Sequence, residues 1–193
     1  DLSSSSANFL GRVVENDTYT AIFTARYGNF SASTYFSFTS DGSSNIDKED
    51  VFKMLPIQAD PRVEIMTFCG DQPLKINSLP NVFELGEIAT VPMEIYILAL
   101  EGDNFITADG QIDFSWSIGQ PFPLSVTLID HESGDSFDLT SAGNDGTKTL
   151  AIKEKGGFGA IPMGLNDSYP SSVNPSYSLA FQYHGMNSDS QNP

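Results

Sequence analysis

Apolar and polar side chains alternate with a period of two along most of this chain, and that alternation restricts it to a fold of half-buried β-strands. Ile112, Phe114, Trp116 and Ile118 are separated by Asp113, Ser115 and Ser117. Tyr177, Leu179, Phe181 and Tyr183 alternate with Ser178, Ala180 and Gln182 in the same way, as do Leu124, Val126 and Leu128, and Met93, Ile95 and Ile97. Further strands are predicted over Tyr19–Ala25, Thr34–Phe38, Arg62–Phe68, Leu74–Asn77 and Thr147–Lys153, about nine or ten in all.

Turn-forming residues separate these runs: Tyr27-Gly28-Asn29, Asp41-Gly42, Cys69-Gly70-Asp71, Asp109-Gly110, Ser133-Gly134-Asp135, Asn144-Asp145-Gly146 and Gly156-Gly157. Helical spacing is nearly absent. Asp47–Met54 is the one stretch with the pattern of a short helical turn, capped by Asp47 and ended before Pro56. Without alternating helices to cover a parallel sheet, the pattern predicts an all-β fold with almost no helix. The expected architecture is an antiparallel two-sheet β-sandwich of jelly-roll or Ig-like type.

At 193 residues, 39% of them hydrophobic, with 14 Phe and 7 Tyr, the chain can bury one large core. The expected organisation is a single domain over 11–185, between a flexible Ser-rich segment at 1–10 and a flexible polar tail at 186–193. Within it, 156–175 reads as a Gly- and Pro-rich surface excursion. The opening Asp1–Ser6 run has neither a charged nor an apolar leader region, a pattern that a processed chain and a fragment would share.

Twenty-five acidic against 9 basic side chains give a formal charge of −16, which argues against nucleic acid and anionic membrane surfaces as partners. The longest apolar run, Ile95–Leu100, is far too short to span a bilayer. Scarce lysine and arginine suit a surface bathed in salt, where self-repulsion is screened. The single cysteine, Cys69, excludes an internal disulfide and reads as a lone thiol at a strand end. His131 and His184 are expected at the surface, and no Gly-x-Ser-x-Gly elbow or phosphate loop occurs.

The densest group of hard oxygen ligands runs from Asp41 to Asp50. Asp41, Asn45, Asp47 and Asp50 are the candidate metal residues, and calcium is the one cofactor considered. An EF-hand is rejected, because Ile46 and Phe52 stand where that loop needs Gly and Glu. The alternative is a solvated loop whose acids serve only the turn. Trp116 reads as core, while Tyr27, Tyr169 and Tyr183 are the candidate sugar contacts.

The order of segments resembles the β-sandwich regions of surface proteins exported by the type IX secretion system of Bacteroidota. Those regions run through a strand, a D-x-x-D-x-x-K loop, an "lxIn-lp" strand, a "vP-l" strand, a "G-x-y-x-f-x-w" strand and a "v-L-x-D-x-x-t-G-x-x-x-D-L" hairpin. The matching pieces are Tyr35–Phe38, Asp47–Lys53, Leu74–Pro80, Val91–Met93, Gly110–Trp116 and Val126–Leu139, covering roughly residues 20–140. The chain departs from the pattern after Leu139, where the family's last strands would follow promptly. The resemblance implies export to the cell surface or medium, mostly as a non-catalytic module. It also implies glycan attachment at Asp-Ser/Thr sites, here Thr18, Ser136 and Ser168. The expected function is a non-catalytic structural subunit of a surface coat, sheath or filament, self-associating or joined to other surface proteins and polysaccharide. The alternative is a calcium-assisted carbohydrate-binding or adhesin module.

Overall fold

The computed structural model describes residues 19–53, 62–80, 87–101, 104–119, 122, 124–155 and 175–183. These form strands and turns without a helix, so none is long and apolar enough to cross a membrane. In chain order the strands are β1 (Tyr19–Tyr27), β2 (Phe30–Thr39), β3 (Val51–Phe52), β4 (Arg62–Cys69), β5 (Gln72–Pro80) and β6 (Ile88–Glu101). They continue with β7 (Asn104–Ala108), β8 (Gly110–Ile118), β9 (Leu124–Asp130), β10 (Ser136–Asp138), β11 (Asp145–Ile152) and β12 (Tyr177–Tyr183).

One ladder of hydrogen bonds joins them in the order β10-β9-β12-β6-β4-β5-β2-β1-β8-β11, with β3 added to β5 and β7 to β6. This corrects the sequence expectation in three respects. The strands number twelve among the described residues, the ladder is continuous rather than split into two sheets, and the sheet is mixed. β2 and β5 run parallel, from Tyr35 opposite Ile76 to Thr39 opposite Pro80. The long connection between them, carrying β3 and β4, gives the chain room for the crossover that a parallel pair demands. The expected helical turn at Asp47 is a turn that leads directly into β3. The segments 1–10, 156–174 and 186–193, and with them Thr18, Ser168, Tyr169 and His184, lie outside the described residues.

Alternation places the core. Tyr19, Ala21, Phe23 and Ala25 of β1 face the same side as Phe36 and Phe38 of β2 and Ile112, Phe114, Trp116 and Ile118 of β8. Phe23 stacks on Phe114 at 6.0 Å between ring centroids and meets Phe36 edge-on at 5.6 Å. Each such ring contributes about 1.5–3 kcal/mol by leaving water. Phe181 of β12 touches Phe36 at 4.9 Å and Phe38 at 5.1 Å, although β6, β4 and β5 lie between those strands in the ladder. The sheet is therefore curled, and its concave side holds one apolar core.

The curl brings the two ends of the ladder, β10 and β11, together. Residues 139–144 link them directly, Phe137 of β10 meets Trp116 edge-on at 6.1 Å, and the Lys148 ammonium of β11 lies 4.5 Å above the Phe137 ring. The Trp116 indole donates to the Gly143 carbonyl at 3.0 Å and lies over Gly146. A Cβ at Gly146 would stand 2.2 Å from the indole, so only glycine fits there. At the other hairpin, Gly28 takes a φ of 58° to join β1 to β2.

Candidate functional site

Three places on the molecule carry chemistry. The first is the acidic loop, whose carboxylates are engaged within the fold. Asp47 accepts from the Ser43 amide at 2.9 Å and the Glu49 amide at 2.8 Å. Asp50 accepts from the Asp47 amide at 3.0 Å and, reaching across to β5, from the buried Ser78 amide at 2.7 Å. Asp41 pairs with the exposed Lys48 at 3.7 Å, and Asn45 is exposed beside the Ser43 hydroxyl. The loop thus fastens β3 and its approach to the outside of β5. Among the described residues, no group of three His, Cys, Asp or Glu side chains is placed to hold a metal ion. Cys69 closes the same corner, its Sγ 3.5 Å from the Ser44 carbonyl. Burial first, and then the Asp50 and Asp47 charges, push its thiol pKa up, the opposite of an activated nucleophile.

The second place is the convex side of β4 and β6, which is covered as thoroughly as the core. Met66, Phe68, Tyr96 and Leu98 form a separate apolar cluster there. Two carboxylates lie in the same layer. Glu94, 1% exposed, receives the Lys155 ammonium on both oxygens at 2.7 and 2.8 Å and the Ser176 amide at 2.8 Å. Glu64 receives Lys53 at 2.8 Å. The Lys155 amide also donates to the buried Thr107 hydroxyl at 2.7 Å. Glu94 therefore holds the chain on both sides of the 156–174 segment, and Glu64 holds it at Lys53. With three hydrogen bonds from two donor groups on one carboxylate, this is an anchor and not a free acid or base. Burial, reinforced by the Glu94 charge, drives the Tyr96 phenol pKa well above its ordinary value. Burial likewise raises Tyr177, whose hydroxyl donates to the Ala151 carbonyl at 3.0 Å.

The third place is the convex side of β11, β8, β1 and β2, which faces water. Register aligns its side chains in rows across four strands. Thr147, Ser115, Thr24 and Ser33 form one row, and the last two share a hydrogen bond at 2.8 Å. Asp145, Ser117, Ile22 and Tyr35 form the next, and Thr149, Asp113, Arg26 and Ser31 the one beyond. Among the described residues, β11 pairs with β8 alone. Because the Asn144 carbonyl accepts from the Ile118 amide, the even-numbered residues of β11 carry the ladder to β8. The backbone of Thr147 and Thr149 points away from the sheet.

The sugar candidates are not gathered. Tyr27 is 37% exposed at the β1–β2 turn. Tyr183 is half-buried opposite Leu124, two pairs beyond Phe181, which packs on Phe38 at the other end of β1 from Tyr27. Ser136 is exposed at the start of β10. Trp116 is 4% exposed and belongs to the core. His131 is exposed and bonds the Ser178 hydroxyl at 2.8 Å. The hydroxyl rows and the buried carboxylate anchors were missed by sequence reasoning. The signal for the rows was present in the Ser and Thr that fill the polar alternates of four strands. No protein-family model, curated protein or solved structure matches the chain.

Proposed function

We propose that this chain is a non-catalytic structural module of an extracellular coat, sheath or filament, whose copies join by strand pairing along β11. The edge strand β11 carries the reading: among the described residues it pairs with β8 alone, and the backbone of Thr147 and Thr149 points outward, while the Ala151 carbonyl further along already accepts from Tyr177. The strand is eight residues long, it contains no proline, and its one cation, Lys148, is folded inward over Phe137 instead of guarding the edge. Native sheets usually blunt such an edge, since it is a template for another strand. The opposite edge, β10, has only three residues.

Two further features support the reading. The carboxylates best placed for chemistry by burial, Glu64 and Glu94, are consumed in holding the chain together. The segments that resemble type IX-exported surface proteins fall on β2, the loop into β3, β5, β6, β8 and the β9–β10 hairpin of a single curled sheet. We read that sheet as the counterpart, in this chain, of the β-rich region of such a protein.

Light scattering and electron microscopy across protein and salt concentration test the proposal. Assemblies should grow with salt, which screens the charge of −16 between copies. Thr149→Pro removes an outward amide without touching the ladder to β8, so it should stay folded and monomeric. A wild-type protein that remains monomeric at every concentration and salt overturns the reading.

A further inference from the structure

We infer that the convex face of β11, β8, β1 and β2 is a binding surface for a neutral, extended polysaccharide. A solvent-facing sheet in a chain with 25 acids would ordinarily carry charge on its polar alternates. Here the central row is hydroxyl throughout, Thr147, Ser115, Thr24 and Ser33. In the row beyond, Asp113 stands directly opposite Arg26, so that pair of charges cancels across the strands and leaves Asp145, at the β11 end of the adjoining row, as the remaining charge of the three rows. The face is close to neutral on a strongly anionic molecule, which disfavours a cationic partner and an anionic one alike.

The remaining residues fit a sugar chain. Adjacent strands repeat at about 4.8 Å, and successive outward side chains on one strand at about 6.7 Å, so the row of four spans about 14 Å. That is a run of donors and acceptors long enough for several sugar rings lying across the strands. Ile22, 37% exposed, and Tyr35 stand side by side in the adjoining row and form an apolar step beside the hydroxyls. Sugars present this combination, a C–H face for the step and hydroxyls for the row. Its rows contain neither Tyr27 nor Tyr183 nor any residue of the acidic loop, and its use does not depend on pairing through β11. If copies do pair there, the rows of one continue into the next.

Affinity electrophoresis of the full chain through gels containing mannan, a neutral β-glucan, a neutral galactan or an acidic alginate tests the inference. At least one neutral polymer should retard the wild type, with calcium or chelator making no difference. Ser115→Lys, which places a charge in the middle of the row, and Tyr35→Ala, which removes the step, should each weaken retardation about tenfold. Gln182→Lys, on the outer side of β12, should leave it unchanged. Thermal melts establish that each variant is folded. Retardation by no neutral polymer, by alginate alone, or equally for Ser115→Lys, Tyr35→Ala and wild type overturns the inference. Ice-crystal shaping without polysaccharide retention also overturns it, by assigning the rows to an ice lattice.

Discussion

The convex side of the sheet is two unlike surfaces built on one pleat. Over β11, β8, β1 and β2 the outward alternates are mostly hydroxyls that meet water; over β4 and β6 the same positions hold Met66, Phe68, Tyr96 and Leu98, and they are covered. The two carboxylates under that cover each meet a lysine, Lys155 for Glu94 and Lys53 for Glu64. A hydroxyl on the open face is replaceable because water takes its bonds. A carboxylate on the covered face is not, because its removal strands a cation and an amide.

The sharpest test of this contrast sets Glu94→Ala against Ser115→Ala in urea unfolding. Loss of Glu94 should cost about 3 kcal/mol, the low end for a broken buried pair because the Lys155 side chain, 32% exposed, can turn toward water. Ser115→Ala should stay within about 0.5 kcal/mol of wild type. Comparable losses would break the contrast.

Alkaline pH probes the covered layer next. Tyr96 and Tyr177 stay protonated in the folded state at a pH where the unfolded chain has ionised them, so the unfolded state binds fewer protons. Stability is therefore fully present below about pH 10 and falls above it, by about 1.4 kcal/mol per pH unit for each tyrosine. Tyr96→Phe should flatten that fall in unfolding midpoints followed from pH 9 upward, and an unchanged slope would remove Tyr96 from the account.

Smaller effects belong to the acidic loop. Asp50→Ala leaves the buried Ser78 amide without its acceptor and should lower stability by about 1–2 kcal/mol. The smallest concerns calcium. With Asp47 and Asp50 already accepting two backbone amides each, the melting temperature should be the same in millimolar calcium and in chelator. An upward shift would instead make Asp41, Asn45, Asp47 and Asp50 a cation site.

Alternation made the long strands legible. The run from Tyr177 to Tyr183 has the bounds of β12, and Ile112–Ile118 lies within β8. Alternation is silent about neighbours, so the parallel pairing of β2 with β5 had no sequence signal. β3 and β10 are two and three residues long, too short for a period to register, and β10 sits in turn-forming composition. Glu94 between Met93 and Ile95 reads as the polar alternate of an exposed strand. Its partners Lys155 and Ser176 lie 61 and 82 residues further along, so only the folded chain reveals an anchor. The continuous apolar run Ile95–Leu100 did carry a hint, since a strand apolar on both faces is covered on both.

The position of β12 sets an order of events for the chain as it is made. β1 and β2 close over a two-residue turn as soon as both are available, whereas the slot between β9 and β6 is filled by the last of the described strands. Until residues 175–183 arrive, two long interior strands lack a neighbour and Glu94 lacks the Ser176 amide. A chain synthesised from its N-terminus thus stays open along that slot until most of it has been made, and closes when the last of the described strands arrives.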